Sequence, residues 1–98
     1  MKLVAKIKSI EDLEEFLKVY FKGKEVEVYL FGSRARGNSS RFSDIDIGFL
    51  SSRDISDELS ILRELLDESN IPYKVDIVDL SENNDLKKAV LKEGRRWL

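Results

Sequence analysis

Asp44 and Asp46 are the two residues of this 98-residue chain that are best placed to do chemistry. They stand at positions i and i+2, and on a strand such positions face the same side with Cα atoms about 6.6 Å apart. Their oxygens could converge on one or two cations, and hard oxygen ligands favour Mg²⁺ or Mn²⁺. The alternative is a solvent-facing strand that binds nothing. An EF-hand loop starting at Asp44 is excluded, because Phe49 and Ile55 stand where that loop needs a glycine and a bidentate carboxylate.

A glycine and a serine, Gly32 and Ser33, follow a predicted strand ten residues before these aspartates. Backbone N–H groups at such a turn and the serine hydroxyl could hold phosphate oxygens. Arg34 and Arg36 add guanidinium groups, whose paired donors match phosphate oxygens. Taken alone, a Gly-Ser pair is better explained as a plain surface loop, with the glycine for a turn and the arginines for solubility.

Asp76 is a third candidate and lies in a third predicted strand, between Val75 and Ile77. A carboxylate in an otherwise apolar strand is costly unless it is paired or bound to a metal. It would complete a triad with the first two aspartates if the third strand lies next to the second. The alternative is an edge-strand residue paired with a lysine. Asp79, near the end of the strand, is interpreted as a cap or a surface residue.

The spacing of apolar residues predicts the order helix, strand, loop, strand, helix, strand, helix. This order indicates an α/β (α+β) fold, a small mixed sheet flanked by helices, in one domain that spans 1–98. The first predicted helix is capped by Ser9, has apolar positions from Ile10 to Tyr20 and is stopped by Gly23. The second spans about 56–68, and the last is capped by Asn83 or Asn84 and stopped by Gly94. The predicted strands are 25–31, 44–50 and 73–80. Residues 32–43 are expected to form a loop or a single helical turn, and 95–98 a short tail.

The composition excludes several kinds of catalytic site, metal site and binding partner. The chain has no cysteine and no histidine, which excludes thiolate nucleophiles, zinc–thiolate sites and Ser-His-Asp triads. A net charge of −2 argues against a strongly basic nucleic-acid binder, so we expect no direct binding of nucleic acid. No apolar run approaches the roughly 20 residues of a membrane span, and we expect a cytoplasmic protein without membrane contact.

Taken together, these residues resemble the nucleotidyltransferase superfamily typified by DNA polymerase beta. The runs Gly32-Ser33-Arg34-Ala35-Arg36-Gly37, Ser43-Asp44-Ile45-Asp46-Ile47 and Val75-Asp76-Ile77-Val78 look most like the minimal nucleotidyltransferases. The resemblance implies the nucleotidyltransferase fold and a magnesium-dependent reaction with ATP as the donor.

The resemblance also implies roles for individual residues. Asp44 and Asp46 would bind two Mg²⁺ ions that carry the triphosphate, with Mn²⁺ as a possible substitute. Asp76 would ligate one ion beside the acceptor and could act as a general base. Gly32 and Ser33 would hold the terminal phosphates, and the arginines at 34 and 36 would contact phosphate or a partner.

Minimal nucleotidyltransferases often act beside a helical HEPN-domain protein, a toxic ribonuclease, as the antitoxin of the pair. The resemblance therefore implies a HEPN-domain partner whose tyrosine hydroxyl receives AMP, and any oligomer would form through that partner. A chain of 98 residues leaves little room for an acceptor lobe, which also favours an acceptor supplied by another protein. The basic, aromatic segment 87–98 is a candidate docking surface, unless it is only a solvated helix with a frayed tail. Two alternatives stay open: a non-catalytic antitoxin that acts by binding, and a small-molecule nucleotidyltransferase.

Overall fold

The computed structural model describes residues 7–37 and 44–98. The helices are α1 (Ile10–Tyr20), α2 (Ser33–Arg36), α3 (Ser56–Asp67) and α4 (Asn84–Glu93), and the strands are β1 (Val26–Phe31), β2 (Ile45–Ser51), β3 (Val75–Asp79) and β4 (Arg95–Arg96). A short 3₁₀ helix, Leu80–Glu82, follows β3. In this part of the chain, no helix has the length and apolarity that a membrane span needs.

The four strands form one mixed sheet in the order β3-β2-β1-β4. β1 is antiparallel to both of its neighbours, β2 and β4, whereas β2 and β3 run parallel. Parallel neighbours need a crossover, and α3 supplies it. The predicted fold class, a small mixed sheet flanked by helices, is confirmed.

The main core lies between the sheet and the helices α1 and α3. Strand β2 contributes every second residue to it, as its alternating sequence predicts. The fully buried side chains on this face include Leu13, Leu17, Val28, Ile45, Ile47, Phe49, Leu59 and Leu62.

A second, smaller cluster covers the opposite face of the sheet. Tyr29, Leu80 and Val90 are its buried members. Gly48 makes room for this cluster, because a Cβ at that position would lie 2.7 Å from Leu80 Cδ1. Leu80, predicted to end the third strand, instead begins the 3₁₀ helix after β3.

Local signals set the ends of the elements. The Ser9 hydroxyl accepts a hydrogen bond of 3.1 Å from the backbone N–H of Asp12 and caps α1. Asn83 caps α4 in the same way through the N–H of Leu86, at 3.0 Å. The Asp79 carboxylate accepts from the N–H of Ser81 at 3.0 Å, which confirms its interpretation as a cap.

The segment after Gly94 differs from the expected tail. Arg95 and Arg96 form β4 on the edge of β1, and the N–H of Trp97 donates to the Val28 carbonyl at 2.8 Å. A Cβ on Gly94 would lie 2.6 Å from the Val90 carbonyl oxygen, so α4 and β4 meet where only glycine fits easily. Two adjacent arginines carry no hydrophobic alternation, and backbone pairing alone reveals the strand.

Candidate functional site

The turn at Gly32 joins the end of β1 to α2, directly beside Asp46. Gly32 has φ +77°, a left-handed conformation that glycine adopts without a steric penalty. A Cβ at this position would overlap Asp46 Oδ2 and lie 3.2 Å from Asp46 Cγ. Since Phe31 and Asp46 are register partners in the β1–β2 pair, the strand register places the carboxylate over the turn. The first motif of the sequence therefore touches the second.

Asp46 and Asp76 face each other across neighbouring strands. They are direct register partners in the parallel β2–β3 pair, and neighbouring strands lie about 4.8 Å apart. Their flanking residues Ile45, Ile47 and Ile77 enter the main core, so both carboxylates project from the opposite face. Both aspartates are half-buried. The third strand thus lies beside the second, as the triad interpretation requires.

Asp44 lies one residue before β2 and is exposed. The N–H of Ile45 donates to the Lys74 carbonyl at 2.9 Å, which fixes the chain next to Asp44 against the start of β3. Among the described side chains, no three carboxylate, imidazole or thiolate groups are arranged to hold one metal ion. The fit to a divalent cation rests on donor chemistry: two carboxylates share a row, and the third stands on the exposed chain just before them.

Lys74 provides the present counter-charge for Asp76. Its ammonium nitrogen lies 3.9 Å from Asp76 Oδ1, and the two side chains are 71% and 42% exposed. β3 is also the edge strand among the described residues, so the geometry of the lysine-paired alternative is present. An exposed pair of this kind contributes about 1 kcal/mol or less. A divalent cation could replace the lysine at small cost.

Arg34 stacks on an aromatic ring instead of extending into solvent. Its guanidinium carbon lies 4.7 Å from the centre of the Tyr73 ring, within the range of a cation–π contact. Tyr73 precedes β3, so this contact ties α2 to the strand that carries Asp76. The side chains of Ser33 and Arg36, and residues 38–43 of the predicted loop, lie outside what the structure describes.

Tyr29 occupies the next row of the same sheet face, opposite Gly48. Its hydroxyl donates a hydrogen bond of 2.5 Å to Glu27 Oε1. Burial, followed by this hydrogen bond, raises the pKa of Tyr29 above its ordinary value of 10.0. The phenol therefore stays neutral and serves the packing of the second cluster.

Two clefts adjoin the row of aspartates. One, of about 360 Å³, follows the outer side of β3 and is lined by Arg63, Leu66, Asp67, Ile71, Tyr73, Lys74, Val75, Asp76 and Ile77. The other, of about 250 Å³, adjoins the glycine turn and is lined by Phe31, Gly32, Leu86, Ala89, Val90, Glu93 and Gly94. Sequence analysis missed both clefts, because each is bounded by elements that are distant in the sequence.

Comparison with known families agrees with this geometry. The model of the family described as "Polymerase beta, Nucleotidyltransferase" matches residues 11–97. The chain belongs to this family. The match includes the glycine turn and all three aspartates, so the resemblance found in the sequence is confirmed at the level of the family.

Relatives within the nucleotidyltransferase family place the chain near the MntA type. It is 29% identical over 68 residues to a Haemophilus influenzae protein named "Probable protein adenylyltransferase MntA". That match covers 67% of this chain but only 59% of the relative.

Solved structures give the same relationship. One, described as a toxin–antitoxin with AMP-PNP, has a TM-score of 0.63 and 29% identity, with 87% of this chain and 72% of that chain covered. A second, a mutant of the toxin–antitoxin MntA–HpeT, has a TM-score of 0.62 and 26% identity, with 87% and 71% covered. The nucleotidyltransferase fold is therefore shared with proteins of toxin–antitoxin pairs.

Proposed function

We propose that this chain is a magnesium-dependent protein adenylyltransferase, which transfers AMP from ATP to a hydroxyl group of a partner protein. The observation that carries the proposal is the contact between Gly32 and the Asp46 carboxylate, with Asp76 at the same register on the next strand. This arrangement supports the proposal, because the proposed phosphate-binding turn, metal ligand and acceptor-side carboxylate would occupy three adjacent positions.

The donor half of the site is formed by the turn and the first two aspartates. Backbone N–H groups at Gly32 and Ser33 bind the terminal phosphates of ATP, with Arg34 or Arg36 as additional contacts. Because Gly32 has no side chain, the phosphates come close to Asp46. Asp44, Asp46 and Asp76 would hold Mg²⁺, which stabilises the charge of the leaving pyrophosphate and activates the attacking oxygen.

The acceptor half of the reaction involves Asp76. The acceptor hydroxyl oxygen attacks the α-phosphorus of ATP, and the bond from that phosphorus to the oxygen of the pyrophosphate breaks. The hydroxyl proton passes to a carboxylate oxygen of Asp76, or through it to water. The products are a phosphodiester between AMP and the acceptor, and pyrophosphate.

A toxin of the HEPN class is the proposed acceptor. The relatives named as a protein adenylyltransferase and as toxin–antitoxin complexes support a protein acceptor within a toxin–antitoxin pair. The same relatives support one second candidate: an antitoxin that neutralises its partner by binding, with an idle nucleotide site. The two candidates differ in whether the mass of the partner changes.

Intact-mass measurement separates them. The chain is incubated with ATP, Mg²⁺ and the product of the adjacent gene, and the intact masses of both proteins are measured by mass spectrometry. Adenylyl transfer adds the mass of AMP to the partner, and Asp46→Asn abolishes the addition. Asp79→Asn is the matched control, because Asp79 lies on the same strand as Asp76 but serves as a cap. A stable complex with unchanged masses supports the binding candidate instead.

Metal-dependent ATP binding tests the donor half alone. By calorimetry, Asp46→Asn should weaken binding of ATP in the presence of Mg²⁺ by tenfold or more, about 1.4 kcal/mol or more. Asp79→Asn should leave that binding unchanged. If Asp46→Asn binds ATP and Mg²⁺ as the wild-type chain does, the metal assignment is wrong.

A further inference from the structure

We infer that the acceptor protein presents its hydroxyl on an extended, acidic segment that lies along the outer edge of β3. The segment would occupy the cleft of about 360 Å³ between β3 and α3, named here the edge groove and lined by Arg63, Leu66, Asp67, Tyr73, Lys74 and Asp76. This inference rests on the proposed function and adds the route by which the acceptor reaches it.

The order of the strands sets the direction of approach. Gly32 follows β1, Asp46 lies on β2 and Asp76 lies on β3, which is the edge strand in the described part of the chain. The donor phosphates at Gly32 thus occupy the inner side of the row of carboxylates. Asp76 is one of the residues that line the edge groove, and its carboxylate projects from the sheet face opposite the main core. A hydroxyl that is carried from the groove across the edge of β3 therefore meets Asp76 before Asp46.

The edge of β3 offers backbone groups for an added strand. In a parallel pair, alternate residues direct their N–H and C=O groups away from the partner strand. Because the Lys74 carbonyl accepts from the N–H of Ile45 on β2, the backbone groups of Val75 and Ile77 lie on the outer side. The outward-facing carbonyl of Ile77 already accepts a hydrogen bond, of 3.0 Å, from Arg63 Nη2. No strand of the described ranges pairs with this side of β3. An extended peptide can pair at the Val75 end, next to Asp76.

The charges of the groove select an acidic occupant. Arg63 and Lys74 line it, and Arg34 lies over Tyr73 at one end. Once Asp76 binds a cation, Asp67 is the remaining carboxylate among the lining residues, against the two positive charges of Arg63 and Lys74. A segment with acidic residues on both sides of the reactive hydroxyl would complement this balance.

Peptide binding to the full chain tests the inference. The probe is a fluorescent seven-residue peptide with a central tyrosine and glutamates on both sides, measured by anisotropy with Mg²⁺ and AMP-PNP present. We expect the acidic peptide to bind saturably. The same peptide with glutamine in place of glutamate should bind at least about tenfold more weakly. Arg63→Glu should weaken binding by a similar factor. Asp67→Lys should tighten it, and this exposed change also places a cation near the C-terminal end of α3, where it favours the helix.

Lys88→Glu is the charge-matched control, because Lys88 is exposed on α4, away from the groove. It should leave peptide binding unchanged. The inference is overturned if the wild-type chain shows no saturable binding, or if Lys88→Glu weakens binding while Arg63→Glu and Asp67→Lys do not alter it. Calorimetry with AMP-PNP is run on every variant. If the wild-type chain does not bind AMP-PNP, the proposed function is refuted. If it binds AMP-PNP but Arg63→Glu and Asp67→Lys bind the peptide as the wild-type chain does, only the inference about the edge groove is refuted.

Discussion

Replacing Gly32 with alanine should lower both the stability of the fold and the activity of the proposed site, through two different effects. At φ +77° an alanine is in the left-handed region, which costs about 1–2 kcal/mol for a residue with a Cβ. The new methyl group would also overlap Asp46 Oδ2, and the oxygen would have to move by about 1 Å to reach an ordinary contact distance. The first cost lowers stability, and the second displaces a proposed metal ligand.

Gly23 provides the matched control. It has φ +76°, nearly the same conformation, and a Cβ there would meet no atom within 4 Å. Gly23→Ala and Gly32→Ala should therefore show similar falls in melting temperature, because both place a Cβ in a left-handed backbone conformation. The fall is roughly 4–8 °C for each kcal/mol in a domain of this size. A displacement of about 1 Å in a catalytic group commonly costs about 100-fold in rate. Gly32→Ala should lose AMP transfer by about that factor, and Gly23→Ala should keep it.

The assays are thermal unfolding by circular dichroism, calorimetry of ATP with Mg²⁺, and transfer followed by intact mass. Equal activity of the two alanine variants would refute the reasoning, because it would mean that the Asp46 carboxylate does not need its place over the turn. A large loss of stability in Gly32→Ala alone would instead assign its effect to the fold.

Two further predictions concern stability. Gly48→Ala should lower the melting temperature, because its Cβ would lie 2.7 Å from Leu80 Cδ1. Such overpacking costs about 1–3 kcal/mol, which exceeds the gain of up to about 1 kcal/mol from replacing glycine within a strand. A melting temperature equal to that of the wild type would contradict this prediction. Asp54 accepts a hydrogen bond from the backbone N–H of Ser56 at the start of α3, which lowers the pKa of its carboxyl group below the ordinary value of 3.8. Its charged form therefore stabilises the fold above about pH 4, and this contribution disappears as the pH falls through the lower pKa. Asp54→Asn should be less stable than wild type in urea near pH 7, and the difference should shrink near pH 2; a constant difference would contradict it.

Local signals explain what the sequence predicted correctly. The Ser9 cap and the apolar spacing after it define α1, and the alternation from Ile45 to Phe49 defines β2 and its buried face. These signals operate within a few residues, so they can be recognised without knowledge of the fold. The type and order of the main elements follow from them.

Tertiary geometry accounts for what was missed. The overlap of Gly32 with Asp46 depends on the register of two strands, which the spacing of the motifs does not specify. The contact of Arg34 with Tyr73 and the edge groove both depend on how α2 and α3 pack beside β3. The second strand was predicted to begin at Asp44 and begins at Ile45, so Asp44 lies on exposed chain just before β2. The convergence of the three aspartates on a metal ion stays a prediction. The functional roles of these residues stay predictions.

The shared register of Asp46 and Asp76 has a consequence for changes of chain length. Side chains alternate between the faces of a strand, so one residue inserted within β3 before Asp76 would turn its carboxylate into the main core. An insertion in the connection 68–74 need not alter the phase of the strand, and a longer loop costs little entropy. Among related chains, additions and deletions should therefore be found in the connection, while the count of residues from the start of β3 to its aspartate stays constant.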